Sequence, residues 1–214
     1  MPLQHIIYQN PHAIIGIWRL TEPEEFFLPH RHLLVRHAAV LDSIHHPQRR
    51  LEWLAGRYLV WQLAQRLHLP FAGIYTDTHN KPHLTAANGH ISISHARPYV
   101  VAILNRQQPA GIDIEELRPK LQYLAPKFLT AKELDMAGND LLRLAVCWGA
   151  KEALYKLYGR KCLVFKENLL LSHLAFDGHK GRLQGVIRLA EKQQTYHLLC
   201  GRFGNHILVF TVEE

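Results

Sequence analysis

Hydrophobic positions recur along the chain with two periods, and the periods sort it into helical and extended stretches. Between Arg50 and Leu69, the residues Leu51, Leu54, Trp61 and Ala64 return at helical spacing, and Pro70 stops the run. Leu141–Tyr158 predicts a second strong helix, with Gly159 as its C-terminal cap. Leu28–Ser43 reads as a further helix, and Thr130-x-x-Glu133 is a capping-box pattern that opens a short one. Ala13–Leu20 is rich in β-formers and reads as a strand. His90–Ser94 and Tyr99–Leu104 predict two strands around an Ala96-Arg97-Pro98 turn. Beyond the second helix the pattern predicts antiparallel strands at Leu169–Phe176, Leu183–Leu189, Thr195–Cys200 and His206–Val212, with turns at Asp177-Gly178 and Gly201–Asn205.

The polar, proline-containing stretch Asn105–Ala110 separates two halves, taken as residues 1–105 and 106–214. A faint repeat supports the division. Trp53-Leu54-Ala55-Gly56-Arg57-Tyr58-Leu59 can be laid on Trp148-Gly149-Ala150-Lys151-Glu152-Ala153-Leu154, offset by 95 residues, with Trp, Ala and Leu coinciding. Two unrelated amphipathic helices could produce the same three matches. In this overlay Arg57 of one half stands where Glu152 stands in the other.

Composition narrows the class. Of 214 residues 48% are hydrophobic and 20% charged, enough for one large domain or two small ones with real cores. No apolar run approaches ~18 residues, so no membrane span is expected, and the first residues lack the basic-then-apolar order of a secretory signal. Cys147, Cys162 and Cys200 are an odd number with no close pair, which suits reduced thiols in a cytoplasmic protein. The formal charge of +7 favours anionic partners. The basic residues are dispersed, however, and no nucleic-acid module appears, so no nucleic-acid or membrane partner is expected. Among the sixteen histidines, His30-x-His32 and His45-His46 lack further metal ligands at recognisable spacing, and solvated or packed rings are the better default.

The candidate chemistry lies in Gly111-Ile112-Asp113-Ile114-Glu115 and in Trp148–Lys156. On a strand, Asp113 and Glu115 share a face opposite Ile112 and Ile114, and two carboxylates on one face call for a cation. Glu152 and Lys156 are four apart on one helix face. A third carboxylate and an ammonium could therefore join the first two, and three carboxylates suit a hard divalent cation such as Mg²⁺. Each piece alone has a plainer reading: an alternating strand is usually a half-buried edge, and a Glu–Lys pair usually decorates a helix surface.

The order of motifs goes further. Asn80-Lys81-Pro82, then His90-Ile91-Ser92-Ile93-Ser94-His95, then the acidic strand, then Trp148-x-x-Lys151-Glu152-Ala153-x-x-Lys156 resembles the Sfp-type 4′-phosphopantetheinyl transferases over roughly residues 49 to 159. The resemblance implies an α+β fold, a pseudo-twofold pair of similar α+β subdomains with the active site between them. It implies that coenzyme A phosphates are bound by the first subdomain, and metal binding and catalysis by the second. The implied reaction is Mg²⁺-dependent, with Mn²⁺ as an alternative ion. It moves the 4′-phosphopantetheine of coenzyme A to a serine of an apo acyl or peptidyl carrier protein and releases 3′,5′-ADP. Asp113, Glu115 and Glu152 are implied as metal ligands. Glu152, Lys156 and Asp113 are implied in catalysis, with Lys156 neutralising the pyrophosphate or protonating the leaving group. Arg50, Arg57, Lys81, Ser94 and His95, together with Asp113 and Lys156, are implied in cofactor binding. Arg49 belongs to the same Arg-rich helix start, and Lys151 matches the motif as either a phosphate contact or a surface residue. A monomer is expected, since one chain carries both halves.

The chain departs from the family pattern at two positions. Asn80 stands where the family has Gly, and Asn tolerates the positive φ of such a turn. Ala96 replaces a family serine, which removes a hydroxyl that could meet phosphate. Other classes fit less well. A Mg²⁺-dependent phosphotransferase on nucleotides would need Walker or kinase motifs, and a serine hydrolase would need a Gly-x-Ser-x-Gly elbow; none is present. A catalytically silent coenzyme A- or carrier-binding module is the alternative, and the intact Asp113, Glu115, Glu152 and Lys156 argue against it. A nucleic-acid binder would explain only the charge.

Overall fold

The computed structural model describes residues 3–30 and 38–212. The chain divides into two compact units, Met1–Ala110 and Gly111–Glu214, so the polar Asn105–Ala110 stretch ends the first. Both mix helices with antiparallel sheet.

In the first unit, β1 (Leu3–Asn10), β2 (Ala13–Arg19), β5 (His90–Ala96) and β6 (Tyr99–Asn105) form a four-stranded sheet in the order β1-β2-β6-β5, antiparallel throughout. Helix α2 (Pro47–Arg66) lies on one face. Its Leu54, Leu59 and Leu63 form a core with Ile14, Ile91, Val100 and Leu104 of the strands, all within 1% of complete burial. The helix opens on proline, whose missing N–H has no helical partner to lose. A short hairpin, β3 (Ile74–Thr76) with β4 (Pro82–Leu84), precedes β5. Of the expected helix Leu28–Ser43, the described parts are a 3₁₀ turn at Leu28–His30 and the short α1 (Ala38–Asp42); residues 31–37, His32 among them, lie outside the described residues.

The second unit is a five-stranded antiparallel sheet in the order β7-β11-β10-β9-β8, with β7 (Ile112–Glu116), β8 (Leu169–Phe176), β9 (Lys180–Arg188), β10 (Gln193–Phe203) and β11 (His206–Val212). Helices α3 (Lys120–Phe128), α4 (Ala131–Ala137), α5 (Leu141–Tyr158) and α6 (Phe165–Asn168) complete it, and α5 packs on the sheet. The capping box of α4 is formed in both directions: Thr130 Oγ1 accepts from the Glu133 N–H, and Glu133 Oε2 accepts from the Thr130 N–H at 2.7 Å. Gly159, at φ 68°, ends α5 in the left-handed conformation. The two segments of the faint repeat thus lie on α2 and α5, each the helix that covers its own unit's sheet.

Candidate active site

The acidic strand β7 is an edge strand, yet it is covered: Ile112, Asp113 and Ile114 are all nearly inaccessible, and Glu115 and Glu116 are half-buried. The cover is α5, which comes unusually close. A Cβ on Gly111 would overlap the carbonyl oxygen of Ala153. One on Gly149 would sit 2.9 Å from Val209 Cγ2 and 3.6 Å from Asp113 Oδ2. Small residues at these two contacts let helix and strand touch backbone to backbone, which brings the next turn's side chains over the acids.

Trp148, Glu152 and Lys156 occupy one stripe of α5, four residues apart. Trp148 Nε1 donates to Glu115 Oε1 at 2.9 Å. Lys156 Nζ donates to Asp113 Oδ1 at 2.5 Å, an ion pair with an almost fully buried carboxylate. Glu152 lies between them and interacts electrostatically with Asp113, Lys156 and Glu115. Burial first, then repulsion from Asp113 and Glu115, pushes its carboxyl up to about 7, against the opposing pull of Lys156. Burial and Asp113 also raise Glu115, which the Trp148 hydrogen bond partly offsets. The structure therefore brings together Asp113, Glu115, Glu152 and Lys156, three acids against one base.

The donor set is all oxygen and carries surplus negative charge, the chemistry a hard divalent cation prefers. The side chains are not preset as a cage. Among the described residues, no group of three or more His, Cys, Asp or Glu side chains is arranged to hold a metal ion. In this arrangement the Lys156 ammonium is the cation at Asp113.

Lys151, next to Glu152, turns the other way. It is fully buried, with Nζ 2.9 Å from Glu133 Oε2 and 3.0 Å from the Phe165 carbonyl oxygen. Burial lowers its affinity for a proton, opposed by Glu133. Glu133 Oε1 in turn accepts from the Leu171 N–H at 2.7 Å. The pair ties α4, α5, α6 and β8 together; as placed, Lys151 is neither a surface residue nor open to a phosphate.

In the first unit, a cavity of about 580 Å³ is lined by Ser43–His46, Arg49, Glu52, Trp53 and Arg57 from the helical side, and by Thr76, Asn80, Pro82, Ile93 and His95 from the strands and the hairpin turn. Arg57 is the buried cation of this cavity. Its guanidinium carbon lies 3.4 Å from the Trp53 ring centroid, and its Nε is buried with no hydrogen-bond partner among the described residues. Desolvation lowers it to about 9, so an anion here would relieve a cation that has no ion-pair partner among the described residues.

The other expected cofactor residues are distributed unevenly. His95 lines the cavity. Arg50 does not; its guanidinium grips Glu24 at 2.8 and 2.9 Å and the Leu41 carbonyl oxygen. Arg49 lines the cavity instead. Ser94 is buried on the face of β5 opposite Ile93 and His95. Lys81 is half-buried between the cavity residues Asn80 and Pro82, and burial lowers its affinity for a proton. Its turn is built by Asp77, whose Oδ1 accepts from the N–H groups of His79 and Lys81, while Asn80 takes φ 67°. Glu52 and Trp53 at the cavity and Trp148 at the acid cluster have no role assigned from the sequence, which reads Glu133 as a capping residue and not as the partner of Lys151.

Comparison with known proteins agrees on both units. The family profile described as the 4′-phosphopantetheinyl transferase superfamily matches residues 109–210, and that of the 4′-phosphopantetheinyl transferase N-terminal domain matches residues 36–105. The chain belongs to the Sfp-type 4′-phosphopantetheinyl transferase family. A member of that family, 4′-phosphopantetheinyl transferase psf-1 of Bacillus pumilus, is 28% identical over 185 residues, covering 75% of this chain and 76% of that protein. Within the superfamily match lie both pieces of the acid cluster, β7 and α5. The N-terminal match contains the whole cavity lining from Ser43 to His95. No helix among the described residues is long and apolar enough to cross a membrane.

Proposed function

We propose that this phosphopantetheinyl transferase family member takes coenzyme A as donor and modifies a serine of an apo acyl or peptidyl carrier protein, as a holo-carrier-protein synthase dependent on Mg²⁺ or Mn²⁺. The observation that carries the reading is the buried cluster of Asp113, Glu115 and Glu152 with Lys156, in which one carboxyl is held near neutrality at about 7.

The carrier serine oxygen attacks the phosphorus next to the pantetheine arm. The P–O bond to the 3′-phosphoadenosine side breaks, and 3′,5′-ADP leaves. Asp113, Glu115 and Glu152 are the proposed ligands of a divalent ion, which would supply positive charge against the negative charge that builds on the leaving 3′,5′-ADP phosphate. With a cation neutralising the cluster Glu152 would be ionised, the state a group needs in order to take the serine proton. Lys156 is the group suited to hold the leaving phosphate and give it a hydrogen. Arg57 and His95, with Arg49 and Lys81, are proposed to hold the donor's phosphates. The assigned roles of Arg50 and Ser94 would require each to be reached in a state other than the one described. In this reading the two units are pseudo-twofold halves, the first for cofactor phosphates and the second for metal and catalysis, in a monomer that works in the cytoplasm.

The test is mass spectrometry on a panel of apo carrier proteins incubated with the protein, coenzyme A and Mg²⁺. A gain of one phosphopantetheine, lost on adding EDTA, supports the reading. Folded protein that modifies no carrier in the panel refutes it.

A further inference from the structure

A carboxylate stands inside the cavity proposed for phosphates. Glu52 lines it together with Arg49, Arg57, His45, His46 and His95, and its side chain is only 11% exposed. An acid so placed should repel a phosphate, so its presence requires an account. Both of its oxygens are occupied. Oε1 accepts from Gln48 Nε2 at 2.9 Å, and Oε2 lies 3.2 Å from His95 Nδ1. The acid is thus held from one turn back along α2 and directed to one nitrogen of a ring that is itself half exposed.

We propose that Glu52 is a positioning residue for donor binding: it fixes His95 by Nδ1 so that the ring presents Nε2–H to a phosphate of the donor. The inference rests on the reading of the cavity as the donor's phosphate pocket. An imidazole has two nitrogens, and in the neutral ring a hydrogen on Nδ1 leaves Nε2 bare. With a carboxylate at Nδ1 and a phosphate at Nε2, the doubly protonated ring is the state that satisfies both anions. The carboxylate therefore makes the histidine a fixed donor instead of a freely rotating ring that can offer a lone pair. Arg49, Arg57, His45 and His46 also line the cavity, so the test isolates His95 by mutation and not by pH.

The sign of one substitution separates the two accounts of Glu52. If it is merely an acid near phosphate, Glu52→Gln removes repulsion and tightens binding. If it acts through His95, Glu52→Gln weakens binding. Isothermal titration of the full chain with adenosine 3′,5′-bisphosphate should show about tenfold weaker binding for Glu52→Gln and for His95→Ala. The double variant should bind no more weakly than His95→Ala alone. In turnover, Glu52→Gln should raise KM for coenzyme A by a similar factor with kcat within about twofold.

Equal or tighter binding by Glu52→Gln, or penalties that simply add in the double variant, would overturn the inference and leave the donor pocket standing. Wild-type protein that binds no bisphosphate overturns the pocket and the inference together. A measurement that needs no variant at Glu52 is the ¹⁵N spectrum of the His95 ring in the bisphosphate complex. Hydrogens on both nitrogens support the arrangement, and a ring bare at either nitrogen refutes it.

Discussion

Replacing Glu152 by Gln should make the metal-free protein more stable while making it inactive, and the gain should depend on pH in a defined sense. The Glu152 carboxyl titrates at about 7 in the folded chain, against 4.5 for an ordinary glutamate. A carboxyl raised on folding holds its proton more tightly in the native state, so its contribution is fully favourable below pH ~4.5 and is lost as pH climbs through about 7. Glutamine has roughly the shape of the protonated acid and never ionises. The two proteins should therefore be nearly equal in stability around pH 4, diverge between 4.5 and 7, and hold a constant gap above that. At 1.36 kcal/mol per pH unit the interval from 4.5 to about 7 gives an upper figure of about 3 kcal/mol. Part of it belongs to Asp113 and Glu115, which relax when Glu152 no longer ionises, so about 2 kcal/mol is expected in urea unfolding at pH 8. Added Mg²⁺ should stabilise the wild type at pH 8 and the variant far less, closing the gap. A Glu152→Gln protein less stable than wild type at pH 8, or a gap that does not change between pH 4 and pH 8, would show that burial and the neighbouring Asp113 and Glu115 do not raise Glu152.

Three further outcomes follow from the same geometry. Asp113→Ala should abolish turnover with the fold retained by circular dichroism, because it removes a proposed ligand and the partner of Lys156; Glu115→Ala should be milder, since water can take one coordination site, and wild-type turnover by Asp113→Ala would refute the ligand assignment. Lys151→Met or Glu133→Gln alone should cost about 3–5 kcal/mol in urea unfolding by stranding a buried charge or its partner, and the double change should recover much of it; single variants as stable as wild type would refute the burial argument. Raising monovalent salt from 0.1 to 1 M should raise KM for an acidic carrier more than it changes kcat, as the Debye length falls from ~10 to ~3 Å and the net charge of +7 ceases to steer the partner; a salt-independent KM would remove the steering argument.

The elements with clean periodicity were legible in the sequence. Leu141–Tyr158 and Leu169–Phe176 match the structure to the residue, and the capping box at Thr130 and the positive φ at Asn80 are both present. What escaped had a local reason. Helix α3 contains Pro126, which reads as a breaker but sits in the last turn, where it removes a single backbone bond. Among the described residues strand β1 pairs only with β2, and it leaves Ile7 and Tyr8 exposed, so its alternation is blurred. Arg50 and Arg57 are seven apart, two helical turns, and that spacing says nothing of Glu24, which takes Arg50 from a distance of 26 residues along the chain. Strand alternation set His95 opposite Ser94, yet the motif treats the two as one binding unit. In the structure only the His95 face lines the cavity. Lys151 is the sharpest case: a lysine beside an active glutamate reads as surface or phosphate contact, and only tertiary packing against Glu133 and Phe165 shows it buried.

The two buried acid groups of the second unit make the functional argument by contrast. Glu133 is as inaccessible as Asp113, at 2% each, but its charge is matched one to one by Lys151, and its oxygens take the N–H groups of Thr130 and Leu171. That is how a chain holds a buried charge for architecture: both carboxylate oxygens are met from within. At Asp113, Glu115 and Glu152 the described residues set the Lys156 ammonium and the Trp148 indole N–H against three carboxylates, with Arg118 acting on Glu115 from further off. The same helix carries both solutions on adjacent residues, Lys151 turned to Glu133 and Glu152 turned to Asp113. A fold that can neutralise a buried acid so completely on one side of α5, yet leaves surplus negative charge on the other, retains that surplus against its own stability. The imbalance is what a cation brought from outside would relieve. It is also why the stability gain expected for Glu152→Gln and the loss of activity expected with it have one physical cause.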